Sequence, residues 1–343
     1  MADVTVRGAG IFGLSVAWAC ALRGAKVRVI DPGGPGAGAS GGIVGALAPH
    51  VPENWNDKKA FQLDSLLMAE GFWAEVAETG GLNPGYARLG RVQPLADGAA
   101  VALAHSRADG AAALWQGRAE WRVTQAGALP LAPISASGQV VLDTLSARVH
   151  PRQACAALAA ALAARGVQII ADGPDQGQIL WATGAAGLEA LNTGHPRQVG
   201  AGIKGQAALL AFDARDHPQV FAGGVHIVPH GDGTVAVGST SEREYADPCA
   251  TDAQLDDVIA AARAAVPALQ DAPVIARWAG LRPRARSRAP MLGVHPLAKD
   301  HFIANGGFKI GFGMAPKVAQ VMANLMLDGR AEIPPGFLPE ASL

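Results

Sequence analysis

The chain has 343 residues, half of them hydrophobic, enough for one large two-lobed protein or two modest domains with real cores. Its formal net charge is -1 with only 17% charged residues, so no global field marks a nucleic-acid binder or a membrane-surface protein, and a small partner is expected. Three cysteines, Cys20, Cys155 and Cys249, lie far apart without CxxC spacing, which argues against a disulfide framework or a zinc site and fits a reducing cytoplasm. The apolar N-terminus lacks a basic leader, and every Ala-rich stretch is cut by Arg, Gly or Asp, so neither a signal peptide nor a membrane span is predicted.

Val4 and Val6, then Val27 and Val29, alternate with the period of strands, while Leu14, Ala17, Trp18, Ala21 and Leu22 repeat at helical spacing between them. That pattern is a βαβ unit. A second helix is predicted at about residues 64–78 on the stripe Leu67, Met68, Phe72 and Trp73, before a turn-rich segment at Pro84, Gly85 and Gly90. Residues 152–165 are strong helix formers with a glycine stop, followed by strand-like runs at 167–170 and 179–182. The pattern turns β-rich over about 205–238, with Gly231-Asp232-Gly233 as a hairpin tip; helices are predicted again at 252–266 and 316–327. The interleaving predicts an α/β nucleotide-binding domain from residues 1–80, 140–205 and 273–343, with an antiparallel-sheet (α+β) substrate domain from 81–139 and 206–272.

Gly8-Ala9-Gly10-Ile11-Phe12-Gly13 is GxGxxG, after a strand and opening a helix, as a dinucleotide loop requires. Gly8 permits the tight turn, Gly10 lets backbone approach a pyrophosphate, and Gly13 lets helix pack closely on strand. Asp31 ends the next strand 18 residues after Gly13, where a carboxylate accepts hydrogen bonds from a ribose diol. The loop alone does not separate FAD from NAD. Directly after the second strand, Gly36 to Ala46 is a run of small residues, including Ala39, Ser40, Gly45 and Ala46, that can lie against a flat, extended ligand.

With the GAGIFG and GASGGIVGA segments, the ordered series HPRQACAALAAALAARGVQI, ILWATGAAG, IKGQAALL, VHIVPHGDGTVAVGSTSE, WAGLRPRARSRAPMLG and FIANGGFKIGFGMAP resembles the D-amino-acid-oxidase-like FAD oxidoreductases, a family that includes glycine oxidase and sarcosine oxidase. The resemblance spans nearly the whole chain. It implies a Rossmann-type FAD domain carrying an antiparallel sheet that roofs the isoalloxazine. It also implies that Thr183, Gly184 and Ala185 pass the flavin, that Gly307, Phe308, Lys309, Ile310 and Gly311 lie near its pyrimidine end, and that Ile170 belongs with the cofactor contacts. The FAD is expected to be non-covalent, since no cysteine follows Cys249 and the Ser40 loop has no histidine.

Flavin amine oxidation needs a hydride to reach N5, so the protein mainly binds, orients and excludes water. No HExxH helix is present. Arg282, in Gly280-Leu281-Arg282-Pro283, resembles the arginine of the family's GLRP motif, whose guanidinium offers two parallel donors to a substrate carboxylate and borders the cofactor. His226 stands where glycine oxidases carry a tyrosine, a candidate for hydrogen bonding to substrate or a plain core histidine. Lys309 matches the basic residue of the family's GHxRNG loop, although the histidine and asparagine of that loop are missing. His50, after the GALA segment, is a pocket candidate or a solvent-facing residue. Arg284, Arg286 and Arg288 continue from Arg282 at every second position, as a solvated face or as an approach for a substrate with more than one carboxylate.

The expected reaction is oxidation of the C–N bond of a small amino acid or secondary amine to an imine that hydrolyses, with electrons passing to oxygen or another acceptor. The alternatives are demodification of a carboxymethylaminomethyl wobble uridine in tRNA, against which the net charge argues, and a non-catalytic dinucleotide-binding module.

Overall fold

The computed structural model describes residues 1–128 and 131–343. The valines of Val4–Arg7 (β1) extend the chain to Gly8, whose φ of 106° makes the turn that only glycine takes without strain, and Ile11–Leu22 (α1) follows. The chain returns as Val27–Ile30 (β2), parallel to β1, to complete the expected βαβ unit. In chain order the next elements are Ala46–Leu47 (β3), Asp57–Gly80 (α2), Arg91–Pro94 (β4), Gly98–Trp115 (α3), Trp121–Gln125 (β5), Gln139–Asp143 (β6) and Ala147–Arg148 (β7). Pro151–Ala164 (α4), Gln168–Ile170 (β8), Gln178–Trp181 (β9), Gly184–Thr193 (α5), Gly200–Ala211 (β10), Gln219–Ala222 (β11), Val225–Pro229 (β12) and Thr234–Gly238 (β13) come after. Ala253–Ala265 (α6), Val274–Ala285 (β14), Met291–Val294 (β15), His301–Asn305 (β16) and Gly311–Asp328 (α7) complete the order.

Two sheets organise the molecule. One has six strands in the order β15-β16-β9-β1-β2-β8, parallel except for β15, and α1, α2, α4 and α7 pack together against it around Trp18, Trp73, Leu158 and Met314. The other has eight strands in the order β14-β10-β13-β12-β11-β4-β6-β5, antiparallel except where β4 meets β11. One of its faces buries Val220, Ile227, Val235 and Val237 beneath Leu255, Ile259 and Ala262 of α6. Among the described residues no helix is long and apolar enough to cross a membrane.

Four helices depart from the spans expected above, one of them α5, which follows the strand-like run at 179–182 where no helix is predicted. α2 starts seven residues early because the Asn56 side chain accepts the Lys59 N–H (3.1 Å), a cap that the apolar stripe does not reveal. α7 starts at Gly311 and takes Pro316 into its second turn. α3 was not foreseen at all: its glycines, Gly98 and Gly110, weaken helix propensity, and it buries only Ala104, Ala111 and Trp115, too thin a stripe to read.

The segment between β2 and α2 joins the two sheets. Val149 N–H donates to the Gly45 carbonyl (2.9 Å), and a side-chain carbon at Gly45 would lie 1.8 Å from the Val149 oxygen. On the other side, the fully buried His230 ring uses Nε2 to hold the Ile43 carbonyl (2.9 Å). Burial holds His230 down at about 4, with His150 and Arg148 acting in the same direction and Asp232 and the Ile43 bond against it.

Gly13 sets one test: a side-chain carbon there would lie 1.9 Å from the Gly8 carbonyl oxygen, backbone that cannot move aside. Gly13→Ala should destabilise the fold by on the order of 3 kcal/mol, and a melting temperature within about 1 °C of wild type would contradict this packing. His230 sets a second. A neutral buried imidazole contributes stability that is complete above its free value near 6.5 and is lost as pH falls towards about 4. The melting temperature should therefore fall between pH 7 and pH 4.5, by a few degrees less in His230→Gln than in wild type; parallel curves would remove His230 from that dependence.

Candidate active site

The dinucleotide loop is built as its glycines require. α1 begins without a side-chain cap at Gly10 and with no acid in its first turn, so the positive end of its dipole is unopposed apart from Ser40, whose Oγ accepts the Ile11 N–H (2.9 Å). Asp31 Oδ2 accepts the Ala9 N–H (2.7 Å) and Oδ1 the Gly33 N–H (2.8 Å), which ties the end of β2 to the loop. Ile170 sits opposite Ile30 in the sheet and accepts the Asp31 N–H (2.9 Å). From the far end of the chain, the glycine loop closes on the same place: side-chain carbons at Gly307 and Gly311 would meet Phe12 at 2.8 Å and Ile11 at 3.5 Å. Asn305 fixes that loop by donating from Nδ2 to the Gly184 carbonyl (2.9 Å) and accepting the Gly306 N–H (2.7 Å).

Strand register decides what faces this loop. Arg282 pairs with Ile203, Gly280 with Gly205, and Trp278 with Ala207; Ala207 pairs with Gly238, Gly238 with His226, and His226 with Phe221. Partners across a ladder point to the same side, so Arg282, Trp278, His226 and Phe221 share the face opposite α6, around a floor of Gly205, Ala207, Gly238 and Gly280. Arg91 lies on that face too, paired in register with Asp143 and Gln219. The small-residue segment runs under it: a carbon at Gly238 would lie 2.8 Å from Val44 Cγ2, and one at Gly42 would lie 3.4 Å from the Trp278 ring.

Two buried arginines on this face differ in their company. Arg91 makes an ion pair with the fully buried Asp143 (3.0 Å). Arg282 is 9% exposed and, among the described residues, makes one hydrogen bond, from Nη1 to the Thr240 carbonyl (3.2 Å). Its guanidinium lies where a carbon on Gly205 would be, within 2.1 Å of Cζ. Burial draws it down to about 10, with Glu242 acting in the other direction. His226 is held down at about 4 by burial and then by Arg91, Lys309 and Arg282, and among the described residues its buried Nδ1 has no hydrogen-bond partner. Lys309 is solvent-exposed, yet partial burial and Arg282 lower its ammonium.

Arg282, His226 and Lys309 are thus brought into one another's field. His50 is not in that group: its backbone N–H and Nδ1 both engage Gln62 Oε1, and burial lowers its ring beside Lys58 and Lys59. Arg284, Arg286 and Arg288 line a cavity of about 400 Å³ with Gln198 and Ala201. Sequence reading missed Trp278, Arg91 and the His230 contact to Ile43. For Trp278 a signal was present, since it stands at the same two-residue spacing from Gly280 as Arg282 does.

Comparison with known proteins agrees with this geometry. The family model described as DAO, FAD dependent oxidoreductase, matches residues 3–325. Glycine oxidase of Geobacillus kaustophilus is 24% identical over 360 residues, covering 94% of this chain and 92% of that protein. Glycine oxidase of Pseudomonas aeruginosa is 33% identical over 144 residues, covering 41% of this chain and 39% of that protein, so the matched stretch is well under half of either. In fold, the crystal structure of iminodiacetate oxidase from Chelativorans sp. BNC1 superposes with a TM-score of 0.85 at 23% identity, covering 98% of both chains. A match over nearly the whole chain, on a fold whose loops and sheet face are arranged for a flat dinucleotide, means that the chain belongs to the DAO family of FAD-dependent oxidoreductases, and its cofactor is FAD.

Proposed function

We propose that this protein oxidises the C–N bond of a small amino acid or secondary amine, of the glycine, sarcosine, D-amino acid or iminodiacid type. The observation that carries the reading is the contrast between Arg91, buried with its acid, and Arg282, buried facing the site with a single carbonyl partner. A buried cation that lacks an acid is unfavourable until an anion arrives, and a substrate carboxylate can take two parallel N–H bonds from it.

Gly8, Gly10, the first turn of α1 and Ser40 hold the pyrophosphate of a non-covalent FAD, Asp31 its ribose, and Gly42 to Ala46 with the loop from Gly307 to Gly311 its flavin. When bound, FAD supplies the two-electron acceptor that takes hydride from the carbon bearing nitrogen. Arg282 fixes the substrate carboxylate and hence that carbon. His226, neutral at pH 7, offers a hydrogen-bonding nitrogen without adding charge, and Lys309 adds a second cation near the carboxylate. The nitrogen gives up its proton to solvent before the carbon gives up hydride, and water converts the imine to a carbonyl compound and ammonia, or an amine where the substrate is secondary; oxygen or another acceptor takes the electrons onward. The DAO match and the glycine oxidase relatives support this chemistry.

Anaerobic titration of the yellow holoenzyme with amino acids and N-alkyl glycines should bleach the flavin for at least one of them; a panel that leaves the spectrum unchanged defeats the reading. Arg282→Ala should keep its flavin and raise KM on the order of 100-fold, with Arg282→Lys between the two because one point charge replaces a fork. Unchanged kinetics in Arg282→Ala would take that residue out of the site.

A further inference from the structure

β14 is an edge strand, and it presents a second guanidinium two residues beyond the first. Arg282 and Arg284 share a face with their Cα atoms about 7 Å apart. Arg284 pairs with Ala201, whose methyl leaves the space above it open, and its guanidinium lies over the Phe308 ring at 5.7 Å while Lys309 Nζ lies over the same ring at 5.8 Å. Phe308 is fixed there with φ 45° by its N–H bond to the Pro283 carbonyl (2.9 Å). One aromatic ring thus connects the inner and outer cations.

Outside that ring, Arg284, Arg286 and Arg288 converge on the cavity of about 400 Å³. Arg286 also donates to the Leu343 carbonyl, and Lys58 to the Arg288 carbonyl. Elsewhere Arg7, Arg23, Arg91, Arg107, Arg122, Arg215 and Arg277 make ion pairs within 4.0 Å, while others, such as Arg28, Arg165 and Arg330, make none among the described residues. Among the described residues none of Arg243, Arg284, Arg288 and Lys58 makes an ion pair, and burial followed by Arg243 and Arg288 lowers Arg284, as burial followed by Arg288 lowers Lys58. A solvated face disperses like charges; this arrangement gathers Arg284, Arg286 and Arg288 around a hollow, so an anion there relieves repulsion as well as forming bonds.

We propose that this cavity is a subsite for a second acidic group on the substrate, so that the enzyme selects amines bearing two carboxylates. The proposal rests on the amine-oxidase reading above: one carboxylate meets Arg282, and the other extends along β14 to Arg284 and Arg288.

The test compares the holoenzyme on diacids (both enantiomers of aspartate and glutamate, and iminodiacetate) and on matched monoacids (alanine, 2-aminobutyrate, sarcosine). The best diacid should exceed its matched monoacid at least tenfold in kcat/KM, and added NaCl should erode that ratio through screening. Arg284→Gln and Arg288→Gln should each lower the ratio about tenfold, and Arg284→Lys should retain part of it. Independently of turnover, glutarate should perturb the flavin spectrum with a Kd at least tenfold below that of butyrate, and Arg284→Gln should abolish the difference. Monoacids oxidised as well as diacids, or a ratio unmoved by either variant, would overturn the subsite while amine oxidation stands. Flavin bleached by neither class would overturn both.

Discussion

A guanidinium taken out of water with no carboxylate beside it is the constraint on which the site depends. Moving an ion into a low-dielectric interior is unfavourable by several kcal/mol unless partners replace its hydration. Arg282 is given a carbonyl at 3.2 Å and the longer-range field of Glu242, which itself is engaged by Lys204 (3.5 Å) and Gln206 (2.9 Å). The fold therefore carries a charge that, among the described residues, has no ion pair, and the rest of the sheet supports it mechanically. Gly205 leaves the volume that the guanidinium occupies, and Gly280 leaves room for the Trp278 ring, where a side-chain carbon would come within 2.5 Å. Replacing either glycine would displace the very groups that define the cleft.

The same logic explains why the two sheets need each other. The face of the eight-stranded sheet opposite α6 is floored by glycine and alanine, poor material for a hydrophobic core. What covers it is the segment after β2, held from below by β7 and α4 and from above by His230. The N-terminal glycine loop, the small-residue segment and the loop before α7 come from three distant parts of the chain. Each is fixed by backbone hydrogen bonds and by contacts that admit no side-chain carbon, so the surfaces that meet between the sheets are set by backbone rather than by side chains.

Local features were legible in the sequence, and long-range ones were not. GxGxxG, Asp31 and the first helix could be read because a tight turn, a close approach and a helix dipole each act within a few residues. α4 and α6 announced themselves through periodicity and boundaries. α3 did not, because its glycines and narrow buried stripe erase the period. Arg282 was found only because its motif resembles a family's; nothing in Gly280-Leu281-Arg282-Pro283 itself says that the arginine is buried. That fact comes from the pairing of β14 with β10, and so does the convergence of Arg282 with His226 and Lys309. His50 fails to join them for the complementary reason: Gln62, on the following helix, engages its backbone N–H and its Nδ1, an attachment invisible in the local sequence.

The histidine completes the electrostatics of the cleft. Burial, with the positive charge of Arg91, Lys309 and Arg282 around it, draws His226 down to about 4, so above that pH the ring is neutral beside charged arginines. For the proposed reaction this matters because the substrate nitrogen must be unprotonated when its carbon gives up hydride. A cationic surrounding disfavours an ammonium for the same reason that it disfavours an imidazolium, while it favours the carboxylate a few bonds away. In the proposed reaction one field would then perform two tasks, anchoring the acid end and easing loss of the ammonium proton to water.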